Sequence, residues 1–247
     1  MNLEPWLIIG FALVAVGYSM VGHGGASGYL ALWAFTQYSA DLGAVTALVL
    51  NVIVAGLTFI LFQRAKHFDF KFTWPFLVLS IPLAYLGGSV PMDSKIQSGF
   101  LALILLYSAA MLVVRPQARD ESLVPPSRTA SVAVGGGIGY VSGMFGVGGG
   151  IFLSPLMILL RWARPHTVAA LSAVFIFVNS LAGLAARPPE TVAKAVELWP
   201  LLVVGAVGSL IGGWLGSRRA SSQTLRQVLA LVLLLAVGKL VMKTLGL

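Results

Sequence analysis

Residues 135–155 read GGGIGYVSGMFGVGGGIFLSP, which places nine glycines in twenty-one residues of an apolar, uncharged segment. Glycine at this density disfavours an uninterrupted helix, since each interior glycine costs roughly 1 kcal/mol relative to alanine. In a bilayer, non-helical backbone is tolerated only where it is buried in protein or lines a polar cavity. The stretch therefore predicts either a tight helix-packing face or a helix that is broken around a ligand.

The composition indicates a polytopic membrane protein. Of the 247 residues, 58% are hydrophobic and 10% are charged, whereas a soluble domain carries about 25% charged residues. Several segments exceed the ~18 apolar residues that mark a transmembrane helix. The net charge of +8 lies in short loops between them, which agrees with the positive-inside rule. We therefore expect a lipid bilayer, and no nucleic acid, as the partner. The absence of cysteine excludes disulfides and sulfur-ligated metals, and we expect no metal.

One polar stretch separates the apolar segments into two groups, and all of these segments are predicted to be helical. The linker at 115–129 combines charges with paired prolines, which is typical of a solvent-exposed connection. It divides the chain into a first repeat at 1–114 and a second at 130–247. The apolar segments are 6–35, 43–62, 74–91, 97–114, 130–160, 166–186, 198–217 and 223–246.

Landmarks recur in the same order in the two groups. The Trp-Pro pair at 74–75 recurs at 199–200, and the glycine motif at 22–25 recurs at 146–149. Asn51 recurs as Asn179. Because several landmarks keep their order, we interpret the two groups as an internal repeat.

The loop charges predict that the two repeats are inverted. Three loops are basic, with +2 at 63–73, +2 at 161–166 and +3 at 217–226, and three are neutral or acidic, with −1 at 36–42, 0 at 91–96 and 0 at 187–197. Basic loops of one repeat correspond to neutral loops of the other, which places corresponding loops on opposite sides of the membrane. Inversion needs an odd number of crossings per repeat. We therefore predict an all-α protein in which each repeat is a broken, re-entrant hairpin, at 6–35 or 130–160, followed by three transmembrane helices. The linker is then cytoplasmic, and both termini lie outside.

The glycine-rich stretches are predicted to serve two purposes. Gly135–Gly143 matches a small-xxx-small packing face. Consecutive glycines exceed what one packing face needs, so we predict that the other glycines form helix breaks near the membrane midplane. Free backbone N–H groups and the positive end of the helix dipole would make each break a charge-neutral anion site. The predicted residues are Gly22, His23, Gly24, Gly25, Gly146, Gly148, Gly149 and Gly150.

Polar side chains within the apolar segments are further candidates. His23 could donate to an anion or relay a proton, or its neutral imidazole could bond a backbone carbonyl. Asn51 and Asn179 could line the pathway or hydrogen-bond between helices. Ser172 and Thr46 are weaker candidates, because hydroxyls can bond their own helix.

Two histidines, His67 and His166, lie among basic residues at the edges of apolar segments. We expect both to be solvated and to take no part in the anion site.

The glycine segments GYSMVGHGGASGYLAL at 17–32 and GYVSGMFGVGGGIFLSPLMIL at 139–159 resemble the signature of the sulfite exporter TauE/SafE family of bacterial membrane transporters. The Thr46-Ala47 and Ser172-Ala173 pairs also fit, and the resemblance covers nearly the whole chain. It implies transport of a small anion, such as sulfite or a sulfonate, across the bacterial inner membrane. It implies neither an enzyme nor a resident cofactor. The first motif departs from the second at His23 and Gly28, and the second alone contains the proline, Pro155. These departures leave the substrate and any proton coupling open. The sequence also leaves open the direction of transport and the oligomeric state.

Two other functions compete with a carrier. Residues 25–28 read GASG, which matches the GxSG setting of intramembrane serine proteases and would make Ser27 a nucleophile with His23 as its base. The intervening glycines give that pair no fixed geometry. An anion channel is the other alternative, but no charged ring suggests a selectivity filter, and broken helices in an inverted repeat favour alternating access.

Overall fold

The computed structural model describes residues 4–33, 35–89, 106, 110 and 123–245. Apart from residues 106 and 110, the segment predicted at 97–114 lies outside this part of the chain, as does the linker up to residue 122. The described residues contain helices and connecting turns, without a β-strand. The prediction of an all-helical chain is confirmed for this part.

The described residues form ten helices. They are α1 (Pro5–Met20), α2 (Ala26–Trp33), α3 (Ala40–Arg64), α4 (Phe70–Gly88), α5 (Arg128–Phe145), α6 (Gly150–Leu159), α7 (Pro165–Ala185), α8 (Pro189–Val196), α9 (Trp199–Arg218) and α10 (Ser222–Leu245).

Four of these helices contain stretches long and apolar enough to cross a membrane: Asp41–Arg64, Phe70–Gly88, Pro165–Ala185 and Trp199–Arg219. Helices α1 and α6 are apolar but shorter. Among the described helices, α8 is the one that the sequence did not predict; it lies in the expected loop at 187–197. Its first turn contains Glu190 and its last turn contains Lys194, an arrangement of charges that opposes the helix dipole at each end and stabilises a short helix.

Both long glycine segments are broken helices, as predicted. Residues 21–25 separate α1 from α2 and are called the first break here; residues 146–149 separate α5 from α6 and are called the second break. Helix α5 ends because Gly146 adopts a left-handed conformation, φ +66°, and its N–H donates to Ser142 O at 2.8 Å. This is the usual glycine C-cap.

The glycines of α5 pack against the backbone of α4. Gly135, Gly139 and Gly143 lie one helical turn apart, and a β-carbon on any of them would collide with backbone atoms of α4. Small residues permit this close approach. The predicted packing face is therefore confirmed. Helices α1 and α9 pack in the same way, through Gly212 and Gly216 of α9 against the backbone of α1.

Three basic loops meet at one end of the molecule, called the basic end here. His67 Nε2 donates to Ser217 O at 2.8 Å, and His166 Nε2 donates to Ala220 O at 3.0 Å. The two imidazole rings lie 4.6 Å apart. These contacts bring together the loops that follow α3, α6 and α9. The expectation that both histidines are solvated is wrong, because each is half-buried and hydrogen-bonded to a carbonyl.

The opposite end contains the loops at 36–42 and 187–197. An ion pair links them, with Arg187 Nη1 at 3.7 Å from Asp41 Oδ1. Helices α3 and α7 run between the two ends and pack against each other. Their middle turns therefore form the centre of the molecule, and both breaks lie against these turns.

Candidate site at the two helix breaks

Asn51, in the middle of α3, lies between the two breaks. A β-carbon at Gly24 of the first break would collide with its Oδ1 atom, and one at Gly148 of the second break would lie 2.9 Å from its Nδ2 atom. Asn51 Oδ1 accepts from Ala26 N at 3.2 Å, and Nδ2 donates to Ser180 Oγ at 3.2 Å. The side chain is completely buried. It therefore connects the start of α2 to α7.

His23 extends from the first break to helix α6 behind the second break. Its Nε2 lies 3.0 Å from Gly150 O and 2.9 Å from Ser154 Oγ. A carbonyl oxygen can only accept, so Nε2 carries the proton and shares it between these two oxygens. Ser154 Oγ is in turn 2.6 Å from Ser172 Oγ. His23 Nδ1 is buried and has no hydrogen-bond partner among the described residues.

The backbone N–H groups of the second break differ in whether they are hydrogen-bonded. The N–H of Gly146 is satisfied by the cap of α5. After Val147, the next four N–H groups along the chain have no acceptor among the described residues. They are the N–H groups of Gly148, Gly149, Gly150 and Ile151. Gly148 and Gly149 have φ of +77° and +82°, and successive N–H groups in such a turn form an anion-binding concavity.

The first break leaves fewer of its predicted groups available. The N–H of Gly22 donates to Ser19 O at 3.2 Å, and that of His23 donates to Tyr18 O at 2.8 Å, so both are used to end α1. The N–H groups of Gly24 and Gly25 have no acceptor within the described part of the chain. The predicted residues of both breaks are thus present at the centre, but only some of them offer a free donor.

Asn179 is an asparagine at the centre that has no hydrogen-bond partner in the described structure. It is 3% exposed, and neither its Oδ1 nor its Nδ2 has a partner there. Phe175 and Ile176, four and three residues before it on α7, share its helix face and lie beside Gly149 and Gly148. Asn179 therefore belongs to the face of α7 that meets the second break. Thr46, by contrast, donates to Leu42 O at 2.7 Å within its own helix.

Two contributors to the site were missed by sequence reasoning, Ser154 and Ser180. Both lie in apolar helices, where a serine usually bonds its own backbone and gives no signal by itself. The available signal was position, since Ser154 lies one helical turn after Gly150 in the glycine segment and Ser180 follows the candidate Asn179.

The geometry does not form the nucleophile and base of a serine hydrolase. Ser27 Oγ bonds to Tyr18 OH at 2.9 Å, whereas His23 bonds to Gly150 and Ser154. What the centre does offer is a buried set of hydrogen-bond donors at the start of α6. Donors in that position, at the positive end of a helix, suit an anion.

The comparisons with known proteins identify the family of the chain. The family model for sulfite exporter TauE/SafE matches residues 7–240. The chain is 36% identical over 240 residues to the probable membrane transporter protein y4hK of Sinorhizobium fredii, a match that covers 95% of this chain and 96% of that protein. It is 25% identical over 266 residues to the probable membrane transporter protein YunE of Bacillus subtilis, again with 95% and 96% coverage. No solved structure gives a significant match.

Proposed function

The chain belongs to the sulfite exporter TauE/SafE family of membrane transporters, and from that premise we propose that it is a secondary transporter of a small sulfur-containing anion such as sulfite or a sulfonate. The anion binds to backbone amides at the glycine breaks. The membrane is the bacterial inner membrane, and the basic end faces the cytoplasm.

One observation carries the proposal for the site. The N–H groups from Gly148 to Ile151 are left without an acceptor in the described structure, around glycines that are themselves buried. A buried donor without a partner costs about 1–3 kcal/mol, so several together favour a ligand with acceptor atoms. An oxyanion supplies several such atoms, and the dipole of α6 favours its charge.

The inverted arrangement of two repeats, 1–114 and 130–247, is part of the proposal. Val124 N donates to Arg161 O at 2.9 Å, which supports a second hairpin that begins and ends at the basic end. Leu7 and Trp33 share one apolar cluster with Leu198, which supports a first hairpin that begins and ends at the opposite end. The pairing of α1 with α9 and of α4 with α5 is the pattern expected when a twofold operation exchanges two repeats.

Proton coupling through His23 is a further part of the proposal. Its Nε2 proton is shared with Gly150 O and Ser154 Oγ, and its Nδ1 is free to accept a second proton among the described groups. Ser154 and Ser172 extend this chain of exchangeable protons to α7. Protonation of His23 would place a positive charge beside the anion.

The test of the proposal is flux of ³⁵S-labelled sulfite in proteoliposomes. Wild-type protein should give saturable flux that unlabelled sulfite on the opposite side accelerates, which is the behaviour of a carrier and not of a channel. Gly149→Leu should abolish the flux, because φ is +82° and a β-carbon there would lie 2.6 Å from Phe175 Cε1. Gly137→Leu is the matched control, since nothing lies within 4 Å of a β-carbon at that exposed position.

Two results would contradict the proposal. Wild-type flux in Gly149→Leu would remove the second break from the site. Protein that carries none of sulfite, thiosulfate and methanesulfonate would remove the proposed substrate class.

Proton coupling has a separate test. A pH gradient should drive sulfite flux in wild type and fail to drive it in His23→Gln, because glutamine keeps a hydrogen-bond donor but does not titrate.

A further inference from the structure

We propose that the two glycine breaks have different tasks: the second break and Asn179 hold the oxygens of the substrate, whereas Asn51 is a structural clamp that closes the first break. This inference rests on the proposed function, in which both breaks contribute amides to the anion. It assigns direct contact with the substrate to one of two asparagines that occupy corresponding positions in the repeats.

Both polar atoms of the Asn51 side chain already have a protein partner. Its carbonyl oxygen accepts from Ala26 N, the first residue of α2, and its amide group donates to Ser180 Oγ. Gly24 packs directly against its Oδ1 atom. The side chain therefore satisfies the start of α2 in the way that an N-cap residue would, and it ties that helix to α7.

Asn179 differs from Asn51 in the hydrogen bonding of its side chain. It is 97% buried, since 3% of it is exposed, and both polar atoms lack a partner in the described structure. The corresponding helix start, at Gly150 and Ile151, also lacks any acceptor there. A clamp like that of Asn51 is therefore not formed in the second repeat. At the second break, the unpaired N–H groups from Gly148 to Ile151 therefore lie against the face of α7 that contains the unpaired Asn179.

The combination selects a class of ligand. The backbone offers successive donors from Gly148 to Ile151 along one side, and the Asn179 amide offers two more N–H donors and one acceptor from α7. An anion with several oxygens on one centre, such as sulfite or a sulfonate group, can bond both sides at once.

The test compares near-isosteric leucine variants of the full-length protein in detergent. In Asn179→Leu, the melting temperature without ligand should remain within a few degrees of wild type, because no hydrogen bond is lost. Binding of sulfite and of methanesulfonate should weaken at least tenfold. In Asn51→Leu, the melting temperature should fall by clearly more, because Ala26 N and Ser180 Oγ lose their partner in the buried centre.

Each outcome has a defined meaning. Wild-type affinity in Asn179→Leu, or a loss of melting temperature equal to that of Asn51→Leu, would overturn the inference and leave the proposed function standing. Wild-type protein that binds neither anion would overturn both. If Asn179→Leu does not fold, the isosteric Asn179→Asp replaces it; the new carboxylate should repel the anion and abolish binding, and unchanged affinity would overturn the inference.

Discussion

Replacement of Gly139 by alanine should force α4 and α5 apart. The added β-carbon would lie 2.5 Å from both Cα and O of Ser80 and 2.8 Å from its Cβ. Carbon atoms in normal contact are about 3.5–4.0 Å apart, so the helices would have to separate locally by about 1 Å. Overpacking costs typically about 1–3 kcal/mol. We expect a value near 3 kcal/mol, because the opposing atoms are backbone and no side chain can rotate away.

The control is Gly137→Ala, two residues away on the same helix. A β-carbon there meets nothing within 4 Å, so the gain in helix propensity should leave stability unchanged or raised by up to about 1 kcal/mol. Reversible unfolding of each variant in mixed detergent and SDS micelles measures the difference. Equal stabilities for the two alanine variants would refute the conclusion that Gly139 is present for backbone contact.

Three further predictions follow from the two ends of the molecule. Because the chain has no cysteine, a single introduced thiol reports on which side of the membrane its residue lies. A membrane-impermeant maleimide should label Glu190→Cys in intact cells, but Gln63→Cys only after permeabilisation. The reverse pattern would contradict the proposed orientation. Asp41→Asn should cost less than about 1 kcal/mol in the same unfolding assay, because its partner Arg187 lies 3.7 Å away and the carboxylate is 61% exposed; a loss above about 2 kcal/mol would contradict that estimate. His166→Ala should cost about 1 kcal/mol, since it removes the hydrogen bond to Ala220 O, and an unchanged unfolding midpoint would show that this bond contributes nothing.

The sequence predicted those features that depend on the backbone conformation and close contacts of individual glycines. Consecutive glycines predicted the helix breaks, and glycines spaced one helical turn apart predicted the packing face. A residue without a β-carbon is needed at close contacts and at positive φ whatever surrounds it. Helix α8 was missed, because its prolines and charges resemble a loop. The start of α8 could be recognised only from Pro189, which follows Pro188, because proline is favoured in the first turn of a helix.

The partners of polar side chains could not be predicted from the sequence. His23 bonds to residues more than 120 positions away. In addition, the sequence of an apolar helix does not show which neighbouring helix its polar residue faces. The two asparagines illustrate this limit. Asn51 and Asn179 correspond in sequence, yet both polar atoms of Asn51 are hydrogen-bonded, whereas neither polar atom of Asn179 has a partner among the described residues. That difference depends on tertiary contacts and not on residue type.

The most direct test of the anion site is to observe the amides themselves. Protein labelled with ¹⁵N-glycine should be titrated with sulfite and followed by amide NMR, with the resonances of Gly148, Gly149 and Gly150 assigned from single alanine variants. The account predicts that these amide protons shift downfield as they donate to the anion, and that the resonance of Gly137 does not move. Saturable binding of sulfite that leaves all three resonances unchanged would contradict the account.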